Sequence, residues 1–294
     1  MTLPNFVVIG AMKCATTTLA VQLAAQDGVF ISDPKEPNFF SNDEIYAKGT
    51  SWYESLFESA EGCSLVGEAS THYTKLPTYS QTIERFRAVL PDVKLIYVMR
   101  HPIDRVISQY MHEWSQRLVS GPIDDELAGN PWIVDYGRYA MQIRPWLDAF
   151  GPQRVLPVFN ERLRVEPQAE LERVCAFLGY TGTPAWVDEG DQNVSGERMR
   201  KSPLRDAVLN APGLKQIRRG LVPKSLRDRA KGLWRMKDRP ELSPAVRGML
   251  ETLYNEDLCE LSSMLGLDEP LTCANFKSIT AGQVMAFAPA GSMA

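Results

Sequence analysis

The chain has 294 residues, 44% of them apolar, with 36 acidic against 32 basic side chains and a formal net charge of −4. That is enough apolar sequence for one large core without disulfide or metal support, and the charge balance excludes a globally basic nucleic-acid binder. No apolar run approaches the roughly 20 residues of a membrane span, no basic leader precedes an apolar stretch, and Cys14, Cys63, Cys175, Cys259 and Cys273 form no CxxC pair; a cytoplasmic protein with reduced thiols is expected.

In chain order, residues 5–10 (NFVVIG) read as a short buried strand ending in glycine, and residues 17–26 as the helix that follows. Near-continuous apolar runs at 29–32, 65–68, 95–99 and 155–159 have the character of parallel strands covered on both faces. Helical spacing marks residues 82–89, 103–118 entered through Pro102, 139–150, and 168–178 entered through Pro167. Strands alternating with helices predict an α/β, P-loop-like fold, a central parallel sheet flanked by helices on both faces. A late helix over 243–265, opened by Ser243-Pro244, is expected to pack back on the body. Residues 1–271 are read as one domain containing a basic helical insertion at 205–240, and 272–294, rich in Ala, Gly and Ser, as a weakly ordered tail.

The loop Gly10, Ala11, Met12, Lys13, Cys14, Ala15, Thr16, Thr17, Thr18 leaves a strand and enters a helix, so its N–H groups converge on an anion. Lys13 follows the glycine by three residues, unlike GxxxxGK[ST]. The strand at 95–99 runs out into Arg100 where a phosphohydrolase would place a metal-holding aspartate. Ser108, eight residues on, is placed to share an anion with Arg100. A P-loop kinase or nucleotidase is therefore disfavoured, and no metal is expected.

These two signatures, in this order, resemble those of the PAPS-dependent sulfotransferase family, where PAPS is 3′-phosphoadenosine 5′-phosphosulfate. Lys35-Glu36-Pro37-Asn38-Phe39-Phe40 resembles the KExxFF motif of the branch containing the heparan sulfate N-deacetylase/N-sulfotransferase and 3-O-sulfotransferase domains and bacterial relatives. The likeness runs through Gly137-Arg138-Tyr139-Ala140 and the FLG at 177–179 to residues 193–198 (NVSGER), over roughly residues 5 to 200, and more weakly over 243–266. It implies PAPS as co-substrate and PAP as product, with the first loop on the 5′-phosphosulfate and Arg100 with Ser108 on the 3′-phosphate. It places Tyr139 near the nucleotide, a position that also suits a buried core tyrosine. Ser195, Gly196 and Arg198 belong to the implied cofactor-covering loop, with Arg200 competing for the same phosphate.

Three residues are candidates for the chemistry. Lys13 is placed to neutralise charge on the leaving phosphate, or is a solvated loop lysine. Glu36 is the implied general base, which Pro37 would bias to an extended backbone; otherwise it is a salt-bridge partner of Lys35. His72 is the competing base, while His101 and His112 read as structural and Phe39 with Phe40 as core. Relatives often carry a lysine after the equivalent of Glu68, where this chain has Ala69. The basic stretch 200–239 reads as a solvated face, a contact for an anionic acceptor, or a peripheral membrane contact. The expected partner is a small-molecule or carbohydrate acceptor, possibly anionic, that offers a hydroxyl or an amine to the sulfuryl group, and no nucleic acid; a module that binds PAPS without catalysis is the other class.

Overall fold

The computed structural model describes residues 2–188 and 238–289. Five strands, β1 (Phe6–Gly10), β2 (Val29–Ile31), β3 (Leu65–Ala69), β4 (Lys94–Met99) and β5 (Val155–Phe159), form one sheet in the order β2-β3-β1-β4-β5 with every pairing parallel. Every residue of β1, β3 and β5 is buried, which is why these strands read as unbroken apolar runs. From β1 the chain turns towards β2, and from β4 towards β5. The crevice at the carboxyl ends of β1 and β4 is therefore the topological switch point at which open α/β sheets bind ligands.

The sheet is surrounded by α1 (Thr16–Ala24), α2 (Asp43–Tyr46), α3 (Thr50–Ser55), α4 (Thr82–Val89), α5 (Pro102–Gln116), α6 (Ile123–Gly129), α7 (Pro131–Asp135), α8 (Tyr139–Phe150), α9 (Asn160–Val165), α10 (Pro167–Leu178), α11 (Pro244–Leu265) and α12 (Phe276–Gly282). Pro102, Pro167 and Pro244 each open a helix as expected. Ser243 caps α11, its hydroxyl accepting from the Val246 N–H at 3.3 Å. Helix α11 packs back on the body: Leu250 and Tyr254 join Ile103, Val106 and Ile107 of α5 in a second apolar cluster, while Leu258 and Leu261 join the main core. Asp257 of α11 accepts the N–H groups of Ala140 (2.9 Å) and Met141 (3.1 Å), capping the first turn of α8 from outside. Gly137 is required just before that turn, because a Cβ there would stand 2.7 Å from Nε of the buried Arg105.

The expectation of a weakly ordered tail from residue 272 is corrected for residues up to 289. Phe276, Met285 and Phe287 are buried, Phe276 lies edge-on to Phe159 at 5.8 Å, and Ala288 N–H donates to the Met264 carbonyl at 2.8 Å. The abundance of small residues hid these three apolar anchors. The proposed insertion, up to residue 237, lies outside the described residues.

Candidate active site

A cavity of about 940 Å³ opens at the switch point. Its charged lining is Lys13, Lys75, Arg100 and Arg164 against Glu36 and Asp188. Cations outnumber acids, which suits an anionic ligand.

Met12, Lys13, Ala15, Thr16, Thr17 and Thr18 line one wall. Lys13 (φ 69°) and Ala15 (φ 71°) are left-handed, the kind of backbone that lets successive N–H groups converge on an anion, although the Ala11 and Cys14 N–H groups donate to the Val98 and Ala11 carbonyls. Ala15 leaves α1 without a side-chain cap, and the first-turn N–H groups have no intrahelical partner. Gly10 lies behind this wall; a Cβ on it would meet Thr74 Oγ1 at 1.9 Å. Cys14 also faces away from the cavity. Burial pushes its thiol up to about 11, and its sulfur lies 3.6 Å from the Tyr139 hydroxyl.

Tyr139 is fully buried and is not among the residues lining the cavity, an arrangement that suits the core alternative. Its hydroxyl donates to the Arg100 carbonyl at 2.6 Å and accepts the Arg100 N–H at 3.2 Å. The tyrosine thus pins the backbone of Arg100, whose guanidinium reaches the Lys13 carbonyl at 3.4 Å. Ser108, on the second turn of α5, lines the same cavity, and its Oγ is buried without a hydrogen-bond partner among the described residues. Such an orphan is the mark of a site meant for something else.

The opposite wall comes from the loops after β2 and β3. Glu36 is left-handed (φ 65°), as is Asn38 (φ 54°), against the extended backbone that Pro37 favours. Tertiary bonds override the local preference: Asn38 N–H donates to Ser70 Oγ (3.1 Å), Asn38 Nδ2 to the Glu36 carbonyl (3.0 Å), and Phe39 and Phe40 are fully buried beside Tyr53. Burying each ring stabilises the fold by about 1.5–3 kcal/mol, enough to hold a strained turn. The Glu36 carboxylate accepts from Thr71 Oγ1 at 3.1 Å and pairs with Lys35 at 3.4 Å. The salt bridge therefore exists, yet Glu36 and Thr71 both face the cavity.

His72 lines the cavity too, stacked on Tyr79 at 5.0 Å. Burial, then the Lys75 charge, hold its imidazole down to about 4, so it is neutral at pH 7. Behind them, fully buried Glu68 accepts from Tyr53 (2.6 Å), Ser70 (2.7 Å) and Tyr73 (2.8 Å). Burial outweighs those three donors and lifts its carboxyl to about 7. Glu68 thereby orients Ser70, which holds the turn carrying Glu36.

Several lining residues escaped the sequence reading. His112, expected to be structural, faces the cavity, whereas His101 does cap α5, its Nδ1 accepting from the Asp104 N–H at 3.4 Å. Lys75, Asn160, Leu163, Arg164 and Trp186 lie on loops and helix ends with no spacing signature. Gln22 on α1 pairs both amide atoms with the Val187 backbone (2.6 and 2.8 Å), and Gln26 does the same with Ala185 (3.0 and 2.9 Å). Only a solvent-sheltered helix face makes glutamines four apart informative, and that face is invisible before folding. Ser195, Gly196, Arg198 and Arg200 lie outside the described residues.

Comparison with known proteins agrees with this geometry. Heparan sulfate glucosamine 3-O-sulfotransferase 3B1 of Mus musculus is 35% identical over 189 residues, 60% of this chain and 46% of its own. Bifunctional heparan sulfate N-deacetylase/N-sulfotransferase 2 of Homo sapiens is 28% identical over 202 residues, 61% of this chain and 22% of its own. The chain thus spans about half the length, or less, of the curated relatives it matches. A sulfotransferase structure from Alicyclobacillus acidocaldarius superposes with a TM-score of 0.66 at 23% identity, covering 92% of this chain and 98% of that one, and so shares the fold. The sulfotransferase domain profile matches residues 3–261, and with its loop, arginine and serine at the switch point the chain belongs to the sulfotransferase domain family.

Proposed function

We propose that this chain transfers a sulfuryl group from PAPS to an acceptor hydroxyl by in-line displacement, releasing PAP. The observation that carries the reading is the Ser108 hydroxyl, buried without a partner among the described residues, in the same cavity wall region as Arg100. Leaving a buried hydroxyl unpaired costs about 1–3 kcal/mol, and a phosphate on Arg100 would satisfy it. Arg100 and Ser108 suit the 3′-phosphate, and Lys13 with the uncapped first turn of α1 suits the 5′-phosphosulfate.

Bound PAPS supplies an activated sulfuryl group on a phosphate leaving group. Lys13 and the loop N–H groups meet the negative charge that grows on that phosphate, the preorganised electrostatic contribution that dominates such transfers. Glu36 takes the acceptor proton as the acceptor oxygen bonds to sulfur, the electron pair of the broken S–O bond staying on the phosphate. His72, neutral near pH 7 and stacked on Tyr79, serves as a wall of the acceptor cleft. The relatives named for heparan sulfate favour a carbohydrate acceptor, the 3-O-sulfotransferases supporting a hydroxyl and the N-sulfotransferase an amine.

Calorimetry without Mg²⁺ is expected to show PAP binding at least tenfold tighter than AMP; equal affinities would overturn the donor assignment. Incubating ³⁵S-labelled PAPS with heparan-derived oligosaccharides and simple alcohols then reads transfer directly, and PAP binding without any labelled product would leave only a binding module.

A further inference from the structure

Lys75, just past the single helical turn Thr71–Thr74, and Arg164 of α9 are the lining cations that neither the phosphate loop nor the 3′-phosphate pair explains, and of the two Lys75 lies on the wall that carries Glu36. Lys75 is only 7% exposed. Its ammonium has no hydrogen-bonded partner among the described residues; its ring neighbour is Tyr136, at 5.5 Å from the centroid. A lysine this buried without a carboxylate in hydrogen-bond contact is costly to keep, and the residue lines the cavity.

Its surroundings locate it along the reaction path. Glu36, the acceptor-side carboxylate, and Glu113 of α5 are the acids whose fields reach Lys75, and Glu113 feels both Lys75 and Lys13. Lys75 is thus within electrostatic reach of the base on one side and shares an acidic neighbour with the phosphate-loop lysine on the other. A group passing from the loop to a hydroxyl on Glu36 must cross the space between them. Resting on the sulfuryl-transfer reading above, we propose that Lys75 is a further catalytic residue whose ammonium contacts the non-bridging oxygens of the sulfuryl group in flight. Lys75 keeps its proton throughout: the new S–O bond forms, the old one breaks with its electron pair on the phosphate, and the acceptor proton goes to Glu36.

Burial holds the Lys75 ammonium down to about 8, with Glu36 and Glu113 opposing that and Arg105 assisting; neutral His72 is the other titratable group against it. A catalytic cation here makes kcat/KM for the donor fall as pH rises through about 8.

The test uses the full chain and its Lys75→Met and Lys75→Arg variants. Turnover of ³⁵S-PAPS is followed with a heparan-derived oligosaccharide, or with water if no alcohol is accepted, and PAP affinity by calorimetry. Lys75→Met is expected to lower kcat by about 10²–10³-fold while PAP, which lacks the sulfuryl group, binds within twofold of wild type. Lys75→Arg should recover part of the rate and move the alkaline limb to higher pH. Wild-type kcat in Lys75→Met, a parallel loss of PAP affinity, or an unmoved limb in Lys75→Arg overturns the proposal. Should Lys75→Met fail to fold, the limb in Lys75→Arg decides alone. Failure of the wild-type chain itself to bind PAP or turn over PAPS sinks the sulfuryl-transfer reading, and is seen before any variant is made.

Discussion

The two walls of the cavity are made of different chemistry. Around β1 and β4 the anion-facing groups beside Lys13 are backbone N–H, an arginine and a serine hydroxyl, with Arg100 pinned by the Tyr139 hydroxyl. None of these three kinds of group changes charge near neutral pH. Behind and along the β2–β3 wall, burial has moved Glu68 to about 7, Lys75 to about 8 and His72 to about 4. A wall of fixed polarity suits a nucleotide that must be held at any pH, and a wall of tunable groups suits proton movement.

The comparison breaks if the walls are interchangeable, and Glu36 gives the largest contrast. Glu36→Gln is expected to lower turnover by about 10²–10⁴-fold with PAP affinity unchanged, and His72→Ala by far less. Measuring both with one aliphatic alcohol acceptor settles it, since loss of activity in His72→Ala alone would reverse the assignment. Next in size, Arg100→Ala should erase most of the preference for PAP over AMP, roughly 10–100-fold for a charge-assisted contact of about 1.5–3 kcal/mol, as read by calorimetry.

Ser108→Ala sharpens the same contrast. Removing a hydroxyl that has no partner among the described residues should leave the urea midpoint unchanged or raise it, while weakening PAP by about tenfold, on the order of one charge-assisted hydrogen bond. A drop in stability would mean that the hydroxyl has a structural partner after all.

The smallest effect belongs to Glu68. Its folded pKa of about 7 lies above the ordinary 4.5, so the folded state binds the extra proton and stability falls as pH rises from about 4.5 to about 7. Asp257, raised to about 6, adds a slope of the same sign. Glu68→Gln should flatten the difference between urea midpoints at pH 5 and pH 8 without abolishing it.

All five strands were legible because each is a short apolar run, buried throughout in β1, β3 and β5, and the long helices with a proline at the first position, α5, α10 and α11, declared their starts. The short helices α2, α3, α6, α7 and α9 were not, since four to seven residues give too little periodicity to separate from a loop. The phosphate wall was legible because its chemistry is local: Lys13 and the threonines are contiguous, and Arg100 and Ser108 are fixed on a strand end and the helix it feeds. On the other wall only Glu36 and His72 could be picked out. Lys75 looks like any loop lysine until β3 and α5 enclose it, and Glu36 takes a backbone that its own neighbour Pro37 disfavours.

That backbone has a price. Lys13, Ala15, Glu36 and Asn38 account for four of the five left-handed non-glycine residues among the described ones, the fifth being Arg117 at the end of α5. Each costs about 1 kcal/mol or more relative to glycine, less for Asn38, and all four belong to the two loops that shape the cavity. Selection for heat resistance and selection for turnover therefore pull on these positions in opposite directions. A library chosen only for survival at high temperature should accumulate glycine at Ala15 and Glu36, and its most durable members should be its poorest catalysts.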